Sequence, residues 1–474
     1  MSRKLVHDIS ATSLQVVINQ LFGLAIFYTL SIFFSKNVFG EINWTLAVLL
    51  ATFSILSFGI DQVIVKKIAA GEDPKLMLTL YSIHVVSAGI LFYFFLLLLN
   101  LLYPAIFVKH YLLLFFGLGK PMIFFASPFK QLANGLEKYK SLFYMSVCSN
   151  VVRGTALIAL TFFSALNITT LIIVFIAGDV VELLLSLFIT KKILKISWPA
   201  NVNKKKYVDL VRESLPQAGV VIFTSAIARF DWIILGILAS DIALAEYSFA
   251  FRVFEISTLP LLIIAPVLIP RFTRIFQLTN VIRKEIFTDF FVLLKFEIII
   301  ASLGILLINI LWIPVIDFIT HGKYGSVNRY TIFILSCSMP FIYANNFLWS
   351  INFAQSRLKM IFNIFLITFL INVTGDIILI PLFGGEGAAI TYLLAIVVQL
   401  ILFWTKTNVP DLEKNKFIFL IPAAAIASAA IFSFILEQTS LILIASLCFF
   451  FFLLFFMKVL CRNDWLALKK ITTI

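Results

Sequence analysis

The feature that most constrains this chain is a recurrence of unbroken apolar runs, each about 20 residues or longer, separated by short polar breaks. A helix of that length crosses a hydrocarbon core about 30 Å thick. Fourteen such windows lie at approximately 12–35, 43–65, 76–103, 111–133, 142–163, 168–190, 214–239, 243–270, 288–316, 328–351, 358–380, 386–406, 416–436 and 440–460. The fourth is the least uniform, since it carries Lys120 and two prolines. Helix is the assignment that satisfies the backbone in lipid, where an open strand leaves its N–H and C=O groups unpaired. The alternating short segments of a membrane barrel are absent, because these runs are continuous. Composition agrees: 61% of residues are hydrophobic and 13% charged, against about 45–50% and about 25% in soluble domains. The chain is therefore expected to be an all-α polytopic membrane protein.

Loop charge sets the topology. On the side of the N-terminus, the alternate segments between windows hold 28 Lys and Arg residues, and the opposite side holds four, Lys36, Lys109, Lys323 and Arg329. One missed or extra span would scramble that alternation, so the bias predicts about 14 transmembrane helices with both termini cytoplasmic. It also accounts for the formal charge of +13 without nucleic acid, whose binding would need the basic residues grouped on a domain. The basic start MSRKLVHD lacks a clear small-residue cleavage site behind it and is read as leading into a retained first span. Cys148, Cys337, Cys448 and Cys461 show no CxxC spacing, which argues against a disulfide framework or a metal site. No GxxxxGK[ST] motif appears, and the short outer loops leave no room for a catalytic domain, so neither ATP drive nor a glycan polymerase is supported.

A weak internal repeat organises the chain. Ser35-Lys36-Asn37-Val38-Phe39-Gly40-Glu41 and Ser240-Asp241-Ile242-Ala243-Leu244-Ala245-Glu246 lie 205 residues apart, which also sets Lys66 opposite Arg271. Six spans separate the copies, so the repeats are parallel, as in transporters built from duplicated halves. The expected divisions are an N-terminal lobe of helices 1–6 (1–195), a basic cytoplasmic linker (196–213), a C-terminal lobe of helices 7–12 (214–407), and two further helices with a tail (408–474). Lys204, Lys205 and Lys206 in the linker are read as solvated charges beside anionic lipid.

Three stretches carry a resemblance: LPQAGVVIFTSAIARFDWIILG with AEYSFAFRVFEISTLPLLIIAPVLIPRF inside 212–271, FGEINWTLAVLLATFSILSFGIDQVIVKKIA at 39–69, and IPLFGGEGAAITYLLAIVVQLILFW at 380–404. In order and spacing they resemble the polysaccharide-transporter (Wzx-type O-antigen flippase) branch of the multidrug/oligosaccharidyl-lipid/polysaccharide flippases. The resemblance implies two pseudo-symmetric six-helix lobes around a central cavity, plus two C-terminal helices. It implies a non-enzymatic job, flipping an undecaprenyl-pyrophosphate-linked oligosaccharide across the bacterial inner membrane for lipopolysaccharide or surface-polysaccharide assembly, alongside other assembly proteins and membrane lipids. A lipid II-type precursor flippase and a multidrug or cation antiporter stand as alternatives.

The candidate residues are ionisable groups inside the apolar windows, which are costly there and mark pathways or sites by default. Arg229 and Arg153 fall near the middle of their windows, while Arg252 and Lys120 fall in the outer halves. Arginine suits a pyrophosphate because its planar fork donates in pairs and stays charged. All four are therefore candidate substrate contacts, with Arg229 and Arg153 foremost. Arg252 and Glu255, at i,i+3, are also a natural local pair. Asp61, Asp179, Glu182, Asp231 and Asp376 are the buried acids. Asp179 and Glu182 share a helix face, and two readings stand: a seat for a coupling Na+ or H+, or counter-ions to Arg153. No cofactor or metal is expected. His84 is read as a hydrogen-bonded packing residue rather than a proton relay.

Overall fold

The computed structural model describes residues 3–196, 204–261, 272, 276, 280–409, 412, 417–457 and 459, with side chains omitted at 3–14, 16, 216–217, 220, 224–228 and 280–289. The described residues form helices and no strands: α1 (Arg3–Phe33), α2 (Lys36–Ser57), α3 (Ile60–Ala69), α4 (Pro74–Leu102), α5 (Pro104–Lys109), α6 (Tyr111–Gly135), α7 (Tyr139–Phe162) and α8 (Ile168–Phe188) with a π turn (Ile189–Ile193), then α9 (Lys204–Leu238), α10 (Asp241–Ser257), α11 (Asn280–Thr320), α12 (Arg329–Cys337), α13 (Met339–Ala354), α14 (Leu358–Lys406), α15 (Leu420–Ile435) and α16 (Thr439–Phe456). Among them ten helices are long and apolar enough to cross a membrane. Large apolar side chains face outward, as Leu91, Phe94 and Leu101 do on α4 and Phe434 and Phe455 near the C-terminus. Rows of exposed phenylalanine and leucine suit hydrocarbon as the surrounding solvent, so this is a multi-pass membrane protein.

Local chemistry sets where the apolar windows bend. The second window is split between α2 and α3 at Phe58 and Gly59, both in the left-handed region. The tenth is split at Ser338, just before Pro340. The eleventh and twelfth run together as α14, interrupted at Gly384, whose φ of 54° and ψ of −128° only glycine adopts cheaply. The segment expected as a linker is helical from Lys204 onward, because Tyr207 and Leu210 give that first turn a face to bury against the preceding helices.

The chain divides into two compact units, Met1–Gly236 and Ile237–Ile474. The first has a core of Ile60, Ile64, Tyr81, Phe124, Leu132 and Met145, which Leu210 joins. His84 is wired into that packing, with Nδ1 2.9 Å from the Tyr207 hydroxyl and Nε2 2.8 Å from the Leu56 carbonyl. In the second unit α11 packs against α12, α13, α15 and α16. The small face of α15 (Ala425, Ser428, Ala429) is buried there, and Ser446 of α16 donates to the Ser428 carbonyl at 3.2 Å.

The repeat is visible in both units at the same offset. Ser35 caps α2 by accepting from the Val38 N–H at 3.4 Å, and Ser240 caps α10 by accepting from Ala243 at 3.1 Å. Trp44 stacks on His110 with centroids 4.2 Å apart, and Phe249, 205 residues on, stacks on Tyr324 at 4.3 Å. Glu41 is 2.9 Å from His110, and its counterpart Glu246 acts electrostatically on Tyr324. Arg271, expected opposite Lys66, lies outside the described residues.

Candidate functional site

Three helices of the first unit carry five ionisable side chains to one place. Asp179 and Glu182 sit one turn apart on α8, so both face α6 and α7. Arg153 of α7 binds Asp179 directly and lies 3.8 Å from Glu182. Lys120 of α6 reaches Asp179 at 3.2 Å, and Lys130 of the same helix reaches Glu182 at 2.6 Å. The Ser149 hydroxyl donates to Glu182 at 2.6 Å. Arg153 also donates to Asn150 at 2.9 Å, whose amide in turn donates to Asn19 of α1 at 3.0 Å.

Backbone shape makes the cluster possible. A Cβ at Gly178 would strike the Cγ of Arg153, so glycine lets that side chain lie flat against α8. Stripping water from an ion costs several kcal/mol, and only close pairing with satisfied hydrogen bonds offsets it. Three cations facing two carboxylates supply the close pairing, with Arg153 Nε left without a hydrogen-bond partner among the described residues, and leave one positive charge in excess.

Lys120 carries that excess toward open space. With Asp61, Tyr81 and Ser127 it lines a cavity of about 400 Å³, and its ammonium lies 5.3 Å from the Phe175 ring centre. Asp61 Oδ1 is buried there without a hydrogen-bond partner among the described residues.

The other sequence candidates lie elsewhere. Arg229 on α9 places its guanidinium 4.6 Å from the Trp232 ring centre. Asp231 is buried and accepts from the Trp232 N–H at 2.8 Å. Arg252 donates to Glu255 at 2.9 Å on α10. Asp376 is fully buried on α14, on one face with Thr368 and Asn372. Sequence reasoning missed Lys130, counting it with the loop charges although it falls inside the fourth window. It also missed Ser149 and Asn150, although polar residues so close before Arg153 in an apolar window were a legible signal.

Residues 5–276 match the sequence profile of a family described as polysaccharide biosynthesis protein. No curated protein matches the chain. Among solved structures, the lipid II flippase MurJ in an inward closed conformation is similar with a TM-score of 0.74 at 14% identity, covering 96% of this chain and 99% of that one. An inward-facing multidrug resistance MATE family transporter of the MOP superfamily gives 0.65 at 15% identity, covering 86% and 99%. The Vibrio cholerae MATE transporter VcmN in its bent form gives 0.53 at 14%, covering 88% and 100%. At such identities the likeness speaks for the fold, which this chain shares with both groups.

Proposed function

The chain belongs to the polysaccharide biosynthesis protein family, and from that premise we propose that it is a flippase carrying an undecaprenyl-pyrophosphate-linked oligosaccharide to the outer leaflet of the bacterial inner membrane. It works by alternating access across about 14 spans with both termini cytoplasmic, and it performs no covalent chemistry on its cargo. The observation that carries this reading is the excess cation of the buried cluster, delivered by Lys120 to the wall of a cavity. A pyrophosphate supplies the missing negative charge. Arg153 directs both terminal nitrogens to protein partners, Asp179 and Asn150, so Lys120 is the first unit's phosphate contact and Arg153 its support. Arg229 is the second cationic contact.

The test is surface-polysaccharide assembly in cells carrying Lys120→Ala, Lys120→Arg or Arg229→Ala. Losing a charge-assisted contact worth about 1.5–3 kcal/mol lowers export about tenfold or more in the alanine variants, while Lys120→Arg retains most of it. Normal export from inserted Lys120→Ala protein removes the claim. Asp61 in the same cavity favours a second reading, export of an organic cation. Ethidium efflux from cells whose glycan export does not depend on the protein would support that reading instead.

A further inference from the structure

The second unit holds a carboxyl group for which the flippase cycle has no assigned use. Glu297 of α11 is 1% exposed, and both its oxygens are buried without a hydrogen-bond partner among the described residues. A lone carboxylate in such surroundings is far more costly than the neutral acid, and a buried charge persists only when it is paired.

The elements packed against α11 supply no adjacent counter-charge among the described residues. From α13 comes Tyr343; α12 brings Cys337, its Arg329 and Tyr330 lying at the opposite end; α15 has no titratable residue, and α16 has only Cys448. Lys295 is two positions from Glu297 and projects from another face of the same helix. Arg252 and Glu255 of α10 are bound to each other.

The position is a meeting of helix ends. Seven residues beyond Glu297 on the same face is Gly304, where a Cβ would come within 2.5 Å of Met339 Cε, so this face looks onto the start of α13 beside the interruption at Ser338. Tyr343, one turn into α13, lies within electrostatic reach of Glu297. Its hydroxyl donates at 3.1 Å to the carbonyl of Ser257, the last residue of α10, while the Ser257 hydroxyl lies 3.4 Å from Met339 Sδ. A single tyrosine thus ties two helix ends together next to an unpaired acid.

We propose that Glu297 is a proton-binding site, protonated in the closed packing seen here and deprotonated when the α12–α13 interruption opens to water. On opening, the carboxyl O–H bond breaks, water takes the proton as hydronium, and the carboxylate left behind is hydrated and accepts from the Tyr343 hydroxyl. Re-closure requires the proton back. Within the flippase reading, on which this last step rests, the site couples the movement of α13 to a proton gradient.

Infrared difference spectroscopy of the purified full chain tests the protonation itself, whatever the cargo. The protonated-carboxyl C=O stretch at neutral pH, where an ordinary glutamate of pKa about 4.3 is ionised, is expected to lose one component in Glu297→Gln. An unchanged spectrum from folded Glu297→Gln overturns the proposal. The coupling is read at native Cys337, beside the interruption, by maleimide labelling and peptide mapping. The labelling-rate ratio of parent to Glu297→Gln cancels the thiol's own titration, and it is expected to rise severalfold between mildly acidic and mildly alkaline pH. A flat ratio overturns the coupling. Should Glu297→Gln fail to fold, Tyr343→Phe supplies the same ratio with Glu297 intact, and there too it must change with pH. Loss of the flippase reading in the Lys120 test would leave the infrared result standing, so the two failures are distinguishable.

Discussion

Neutralising Asp179 is the sharpest test of how the first unit tolerates its buried charges. In Asp179→Asn the shape is kept, but Arg153 loses the carboxylate it binds directly and retains only Asn150 and Glu182, the latter at 3.8 Å. Lys120 loses its partner at 3.2 Å in the same step. Removing one member of a buried pair leaves an uncompensated ion and costs about 3–5 kcal/mol, a shift of about 10² to 10³ or more in the folding equilibrium. Lys120→Met is milder. Asp179 keeps Arg153, so the loss is one charged hydrogen bond, about 1.5–3 kcal/mol. Replacing the pair together, as Arg153→Met with Asp179→Leu, removes both desolvation penalties and is expected to cost less than Asp179→Asn alone. Thermal unfolding of the purified variants in one detergent reads this ranking. If Asp179→Asn unfolds no earlier than Lys120→Met, the cluster is not held by charge balance, and the reasoning fails.

Two further substitutions separate competing effects. Gly178→Ala gains about 0.5–1 kcal/mol of helix propensity but drives a methyl into the Arg153 side chain, an overpacking cost of about 1–3 kcal/mol. A lower unfolding temperature is expected, and a raised one would show that Arg153 shifts freely. At the end of α3, Lys67 bonds Glu213 at 2.9 Å and Glu72 at 3.0 Å, and the Glu213 bond raises the ammonium's pKa against a smaller opposing effect of burial. A raised folded-state value makes this contribution fully present below the unfolded pKa of about 10.4 and lost as pH climbs through the higher folded value. Glu213→Gln is therefore expected to cost about 0.2–1 kcal/mol at neutral pH, with the gap to the parent still open in mild alkali and closing in strong alkali or about 1 M salt. A gap that closes near pH 7 refutes the assignment.

Much of the scaffold was legible because lipid imposes a one-dimensional rule on a chain. Apolar length gives a helix and its extent, and the repeat at Ser35 and Ser240 marks real helix starts because a serine side chain satisfies an orphan N–H in both copies. Local partners were legible, as Arg252 with Glu255, but the full set of partners across helices was not. Depth along a window can be counted, but the direction a side chain takes depends on which helices pack together, and no pattern in the string states that. Lys130 falls at the end of the fourth window and counts with the loop charges beyond it, yet its ammonium returns to Glu182. Arg153 was legible as a cation with Asp179 and Glu182 as its counter-ions in one of two readings, but the share of its guanidinium taken by Asn150 of its own helix was not.

The repeat also separates what the fold needs from what the cycle needs. The corner formed by a capped helix start and a stacked ring pair recurs 205 residues later in the other unit, with Trp44 and His110 in one and Phe249 and Tyr324 in the other. The charges do not follow it: the same offset that maps Trp44 onto Phe249 carries Arg229 back to Leu24. A corner duplicated with its packing is scaffold, since both copies must turn the chain in the same way. Ionisable groups in apolar helices are costly wherever they sit, so a duplicated fold that keeps them in one copy keeps them for something other than folding. The first unit pairs the ions of its buried cluster, three cations against two carboxylates. The second buries Glu297 with no hydrogen-bond partner among the described residues. On the two proposals above, a cargo anion answers the first arrangement and a proton the second, so that each half of the duplicated fold takes its own part in one transport cycle.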